Sequence, residues 1–407
     1  MSDEIEFSEI PTNNRLILFK ESVFLWFSKH RKAAVIIAIA AVILLLMIIS
    51  LFFMMRRNTT INNSNGGQVE DLSKHEISAP KQVATPTPSE EAKTEVSPLD
   101  GVLVTKTQML EMQKRRVLGV MIDNHQDSRP QNGLSQADVV YESLAEGGIS
   151  RFLALYYRGS SPKVGPVRSI RSYFLDWLGE YDDPIFMHIG GSGGPGVDPS
   201  ISALDLIQKL SLKSVGIALA GNFWRDDSLH VAPHDAYTST DLLWKGAAER
   251  LNWVGPVSLE KWLFKDDLVL ANRPALYEIS FQWGGWGDNG YQVKWAYDQA
   301  NNVYLREQGG KKQTDDNTKE QLKAKNVVVQ YEAQTIVNDE KHHINYTTIG
   351  TGKVLVFRDG RVIEGTWQKD SRTARTQYLD LDANEIKFNR GQTWIEIVPK
   401  DSPVSYR

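Results

Sequence analysis

The sequence predicts a layered α/β domain with a mixed sheet, then a smaller, mainly β domain, both held behind one transmembrane helix. Three observations carry this expectation. Ala33 to Met55 reads AAVIIAIAAVILLLMIISLFFMM, without charge or proline. Between Val117 and Leu251, apolar runs of strand length interleave with stretches of helical periodicity. After Pro274, short apolar stretches follow one another with turn residues between them and little helical pattern.

The apolar run is long enough to cross a bilayer, because about 20 residues at 1.5 Å each span a hydrocarbon core of roughly 30 Å. Lipid cannot satisfy backbone amides, so the run must be helical. Arg15, Lys20, Lys29, Arg31 and Lys32 precede it, whereas only Arg56 and Arg57 follow before Lys74. That bias puts the N-terminus in the cytoplasm and everything after the helix outside the cell membrane. The competing reading is a cleaved signal peptide, whose apolar core is only about 7–15 residues and ends at small residues. Phe52 to Arg57 make a poor cleavage site. Residues 1–32 form a cytoplasmic tail, with Trp26 placed at headgroup depth or, alternatively, serving a partner.

Residues 56–98 change composition abruptly, through NTTINNSNGGQ and APKQVATPTPSEEAK. With almost nothing to bury, such a segment cannot offset its ordering entropy and is expected as a flexible stalk. Folded sequence begins near Leu99. An α/β domain is expected over 99–252, a connection over 253–274 and a β-rich domain over 275–400.

Within the first domain, Val117–Ile122, Ala137–Tyr141, Phe152–Tyr157 and Pro184–Ile189 read as strands. Helices are expected over Ser169–Glu180, Ser200–Leu210 and Thr240–Leu251. In the second domain, Asp359-Gly360 between KVLVFR and RVIEGTW is a strong two-residue hairpin signal.

Composition narrows the function classes. The net charge of −4 provides no global basic field for a polyanion, so no nucleic-acid partner is expected. Zero cysteines exclude disulfides, thiolate metal sites and a cysteine nucleophile.

The densest polar cluster holds Asp123, Asn124, His125, Arg129, Asp138, Glu142, Glu146, Arg151, Arg168 and Arg171. Long charged side chains are seldom buried unless paired, so the cluster is either a ligand site or an internal ion-pair lattice. Arg168 and Arg171, three apart near a helix start, are expected on one face, where guanidinium forks grip carboxylates bidentately. Glu142 and Glu146 resemble an acid–base pair, but along a strand they stand roughly 13 Å apart, too far for glycosidic chemistry. A cross-sheet pair such as Asp123 with Glu146 stays open.

The loop GGSGGPG, Gly190–Gly196, lacks the ending of a nucleotide P-loop and reads as a ligand rim or a tight connection. His188, His230 and His234 raise the question of metal, but Pro233 interrupts any helical pairing, so neither metal nor cofactor is expected. The tryptophans of the β domain read as core, with Trp283 and Trp286 best placed for an exposed aromatic platform.

Ordered blocks carry a resemblance. MIDNHQDSRPQNGLSQADVVYESLAEGGISRF, GPVRSIRSYF, HIGGSGG, FWRD and APHDAY resemble the N-terminal domain of the YerB-like family of bacterial envelope proteins. WAYDQANNVYLREQGG, NVVVQY, VFRDGRVIEGTWQK and GQTWIEIVP resemble that family's C-terminal domain. The resemblance implies paired domains of unknown function, extracytoplasmic and usually lipid-anchored, in Gram-positive bacteria. This chain departs from it in having no lipobox cysteine, and in Asp235, His230 and Gln313, where asparagine, arginine and histidine are usual. Matched blocks carry over Asp123, Asn124, Arg129, Glu142, Glu146, Arg151, Arg168, Arg171, His188, Arg225 and His234 as cleft candidates.

The leading expectation is a single-pass envelope protein whose arginine-and-acid cleft binds peptidoglycan or an envelope glycan. The alternatives are a wall-cleaving enzyme with Glu146 or Asp123 as general acid, and a scaffold for a membrane-protein partner.

Overall fold

The computed structural model describes residues 91–274, 278–283, 290–339 and 341–407. The tail, the Ala33–Met55 run, nearly all of the stalk and Trp286 lie outside the described residues. Among those described, no helix is long and apolar enough to cross a membrane.

Structure starts earlier than Leu99: Lys93–Val96 pairs antiparallel with Leu103–Thr105. Thr105 then caps helix α1, Lys106–Gln113, through a reciprocal capping box with Gln108. Four strands follow: β1 (Leu118–Asp123), β2 (Val139–Leu144), β3 (Ser150–Tyr156) and β4 (Ile185–Met187). Between β3 and β4 lies α2 (Ser172–Leu178), and after β4 come α3 (Ala203–Lys209) and α4 (Thr240–Leu251). Helix α4 has the predicted bounds because its signals are all local. Ser239 caps the Leu242 amide, Asp241 and Arg250 sit at the favourable ends of the dipole, and Leu243, Trp244 and Ala247 form the buried stripe.

The C-terminal half contributes β5 (Glu278–Phe281), β6 (Val293–Asp298), β7 (Val303–Gln308), β8 (Asn326–Glu332), β9 (Gly350–Arg358), β10 (Arg361–Lys369), β11 (Gln377–Asp380), β12 (Thr393–Pro399) and β13 (Val404–Tyr406). Asp359 (φ 51°) and Gly360 (φ 68°) turn β9 into β10, with Arg358 opposite Arg361, as the two-residue hairpin signal requires.

Nine strands form one mixed sheet in the order β11-β10-β9-β8-β12-β2-β3-β1-β4. The early strands β2 and β1 each pair antiparallel with β3 between them, while β12 lies parallel between β8 and β2. Strands from both halves of the chain therefore share one sheet. A second sheet of six strands is built on β5, β6, β7 and β13.

Both faces of the large sheet are covered, which is why all six residues of β2 are buried. Tyr141 faces α2 and stacks on Trp177 at 5.8 Å, while Glu142 points the other way, toward the second sheet. There Trp394 meets Trp295 edge-on at 5.3 Å and Phe152 at 5.5 Å. Trp283 belongs to this interior at 3% exposure, so it is not the surface platform suggested by its glycine neighbours.

Helix α2 starts later than expected. Arg168 and Ile170 are held extended, with the Arg168 amide on the Met121 carbonyl at 3.0 Å and Ile170 bridged to Gly191. Pairing to neighbouring chain overrides the helical periodicity there, and Arg171 becomes the N-cap residue.

Candidate functional site

One end of the large sheet gathers much of the charged cluster. Asp123 ends β1 and lies directly opposite Arg151, the second residue of β3. Glu146 follows β2 in a tight turn in which Gly147 (φ 69°) and Gly148 (φ 71°) adopt a conformation suited to glycine. The extended segment after β3 lays Arg168 and Arg171 across the same end.

The two arginines do not share a helical face; each engages a different acid. Arg168 Nε stands 3.0 Å from Asp123 Oδ2. Arg171 grips Glu146 with both arms of its fork, at 2.5 Å and 2.6 Å. Arg151 reaches the same carboxylate at 3.9 Å and donates to the Ser169 carbonyl at 3.0 Å, while its buried Nε has no hydrogen-bond partner. His343 Nε2 also stands 3.9 Å from Glu146, and its Nδ1 is bonded to Asp339.

Burial would raise the Glu146 pKa, but the hydrogen bonds and charge of Arg171, then the charge of Arg151, bring it below the ordinary carboxylate value. Held ionised, Glu146 accepts hydrogen bonds and has no proton to donate. Burial, then the neighbouring Arg171 charge, lowers Arg151 to about 10, still protonated at neutral pH. Three guanidiniums thus share two carboxylates at a sheet end where Arg168 keeps 29% of its side-chain exposure and Glu146 17%.

His234 completes the Asp123 environment. Its Nδ1 bonds Asp123 Oδ2 at 2.6 Å, and its ring stacks on His125 at 4.7 Å and 16°. Asp123 Oδ1 accepts the His125 amide at 3.0 Å. His234 and Asp235 precede the short strand Ala236–Tyr237, which pairs with Trp224–Arg225, and Arg225 is bonded to Asp235 in the same hairpin.

Other candidates are consumed internally. Glu142 is fully buried and bonded to Arg306, whose other arm reaches Glu396 at 2.5 Å. Asn124 donates to Glu142 (3.2 Å), Ser150 (2.7 Å) and Gln308 (2.9 Å), and accepts from Arg129 Nε at 3.1 Å. Arg129 also bonds the Gly290 carbonyl at 2.9 Å and lies over the Tyr291 ring; a groove of about 260 Å³ beside it is lined by Lys311, Lys312 and Gln313. His188 uses both ring nitrogens, on the Gly190 carbonyl (2.7 Å) and Ser214 (2.8 Å), and burial lowers its pKa. These residues are the ion-pair lattice anticipated as the alternative to a site.

Sequence reasoning passed over Arg306, Glu396, His343 and the role of His125. Arg306 carried a readable signal, because it falls in phase with the inward residues Tyr304 and Gln308 of β7. His343 and Asp339 offered none, since only tertiary folding brings them to Glu146.

Comparison with known proteins agrees with this architecture. Residues 104–254 match a family described as "Protein of unknown function (DUF3048) N-terminal domain", and residues 284–395 match its C-terminal counterpart. A protein of Bacillus subtilis (strain 168) named "Putative lipoprotein YerB" is 33% identical over 326 residues, covering 79% of this chain and 91% of its own. The crystal structure of the YerB protein from Bacillus subtilis superposes with a TM-score of 0.64 at 30% identity, covering 77% of this chain and 100% of that one.

Proposed function

Because this chain belongs to the YerB-like family of paired DUF3048 domains, we propose that it works in the cell envelope as a membrane-anchored binder of peptidoglycan. The location is supported by the Ala33–Met55 run with its basic N-terminal flank, and by the lipoprotein named among its relatives. Without a cysteine to lipidate, the chain has its apolar run as the anchor, which puts residues 56–407 outside the membrane.

One observation carries the binding reading: among the described residues, Arg151, Arg168 and Arg171 pair with just two acids, Asp123 and Glu146, at a partly exposed sheet end. The surplus guanidinium charge favours a carboxylate, and the alternation of sign favours a ligand that also presents amines. Wall stem peptides offer both groups. The wall-cleaving alternative has less support, since a general acid must hold a proton and Glu146 is kept ionised.

Residues 86–407 form one compact unit, so this soluble piece serves for the test. Incubated with purified cell wall, it should sediment with the wall, and Arg168→Ala should lose at least tenfold in retention. Release of soluble muropeptides, abolished by Glu146→Gln, would instead establish the enzyme. Absence of wall retention in the parent protein rules out the binder.

A further inference from the structure

We propose that His125, Asp127 and His234 form a binding site for a zinc-like divalent transition cation, with Asp123 orienting His234 from outside the coordination shell. One donor atom from each of the three residues lies within 4.8 Å of the other two. A tetrahedral zinc with nitrogen and oxygen ligands at about 2.0–2.2 Å sets its ligand atoms roughly 3.3 Å apart. His125 Nδ1 and Asp127 Oδ2 stand 3.5 Å apart, close to that spacing, and a metal at Nδ1 would displace the Asp127 amide that this nitrogen now accepts at 3.2 Å. The remaining closure falls on side chains that can move, since His125 is 37% and Asp127 75% exposed.

His234 supplies the fixed corner. Its Nδ1 is bonded to Asp123 Oδ2 at 2.6 Å, which in the neutral ring places the proton on Nδ1 and leaves the Nε2 lone pair for a metal. Histidine ligands characteristically donate their second nitrogen to a carboxylate in this way, which fixes the tautomer and makes the ring a better ligand. Asp123 is already occupied by the His125 amide, the His234 ring and Arg168, so it is a support and not a ligand. Two imidazoles and one carboxylate suit zinc, cobalt or nickel better than calcium or magnesium, which take oxygen ligands. Three protein ligands also leave a coordination position open to water or an incoming ligand.

The other histidines considered from sequence take no part. His230 Nε2 faces the Pro130 carbonyl at 3.1 Å, and both nitrogens of His188 are committed elsewhere. The pair that matters, His125 and His234, shares no sequence spacing; their rings lie stacked face to face, so the half-exposed His125 ring must turn out of the stack for both in-plane lone pairs to reach one ion.

This inference does not depend on wall binding, and the two are read separately. The test uses residues 86–407 without a histidine tag, stripped with chelator and titrated with zinc chloride by calorimetry and with cobalt(II) by visible absorption. One zinc per chain and a tetrahedral cobalt spectrum are expected. His125→Ala and His234→Ala should each weaken zinc at least 100-fold, and Asp123→Asn about 10–100-fold. His342→Ala serves as the surface-histidine control and should leave the affinity unchanged. If a buried-site variant fails to fold by circular dichroism, Asp127→Ala, at an exposed position, replaces it. No zinc uptake by the parent, or equal affinity in the parent and the site variants, overturns the proposal. Zinc uptake without wall retention sustains it while counting against the peptidoglycan reading.

Discussion

Glu142 and Glu396 lie directly opposite each other on the parallel strands β2 and β12, both fully buried, and Arg306 from the second sheet bonds to both. Burial first, and then Glu142 against the opposing pull of Arg306, pushes the Glu396 pKa well up. The charged form of Glu396 is thereby disfavoured, and the facing acids are balanced against a single guanidinium. Trp295 donates to Glu396 at 2.9 Å, and the Trp394 ring lies 4.7 Å from the guanidinium.

That balance predicts unequal effects from similar substitutions. Arg306→Met leaves a buried carboxylate unpaired and should destabilise by about 3–5 kcal/mol. Glu142→Gln strands Arg306 and should cost a comparable amount. Glu396→Gln replaces the acid whose charge is disfavoured by a neutral amide and should stay within about 1.5 kcal/mol, the worth of an ordinary hydrogen bond. Urea unfolding of residues 86–407 measures all three, and equal losses at 142 and 396 would contradict this asymmetry.

Glu146 should behave in the opposite sense with pH. Its folded pKa lies below the ordinary value of 4.5, so it adds stability above that value and loses it as pH falls through the folded pKa. Glu146→Gln should cost about 1.5–3 kcal/mol at pH 7, as expected for hydrogen bonds to a charged group. The difference from the parent should close as both are titrated below the carboxylate range, read as melting temperature against pH.

Glu332 supplies an alkaline counterpart. Burial drives its pKa up to about 8, against hydrogen bonds from Gln330 (2.6 Å) and Trp177 (3.2 Å), and its Oε2 has no partner. A raised carboxyl pKa means stability is complete below the unfolded value near 4.5, declines as pH rises from there, and levels off once pH passes about 8. Glu332→Gln should flatten that decline and melt higher than the parent at pH 9. A parent melting curve with no slope attributable to residue 332 between about pH 4.5 and 8 would refute this.

The hairpin turn gives a purely steric prediction. Gly360 has φ 68°, and a Cβ there would meet the Pro274 carbonyl oxygen and the Tyr297 ring at 2.5 Å. Gly360→Ala should therefore destabilise by more than about 1 kcal/mol, through backbone strain and the clash together. Asn at this position tolerates the left-handed backbone better but still meets the contact, so it should fall between glycine and alanine only if the backbone term dominates.

Features with complete local signals were readable from sequence. Helix α4 and the Asp359-Gly360 turn matched in bounds, because caps, stripe and turn chemistry all lie within a few residues. The start of α2 was misread because Arg168 and Ile170 pair with chain distant in sequence. The charged cluster was recognised as a group, yet its division was not. Strand parity turns Glu142 into the interior, while Asp123 and Glu146 stop at the strand ends, and only the assembled sheet reveals which acid meets which arginine. The β2–β12 pairing was invisible for the same reason, since the partners come from opposite halves of the chain.

The place of β12 bears on how this molecule is made. The strand inserted between β2 and β8 leaves the ribosome long after β2, so the earlier half waits with one flank of β2 bare. A nascent chain halted near residue 275 would expose a template for any extended polypeptide nearby, the usual opening for misassembly. Shortening the C-terminus past Thr393 should consequently abolish both halves at once instead of trimming one.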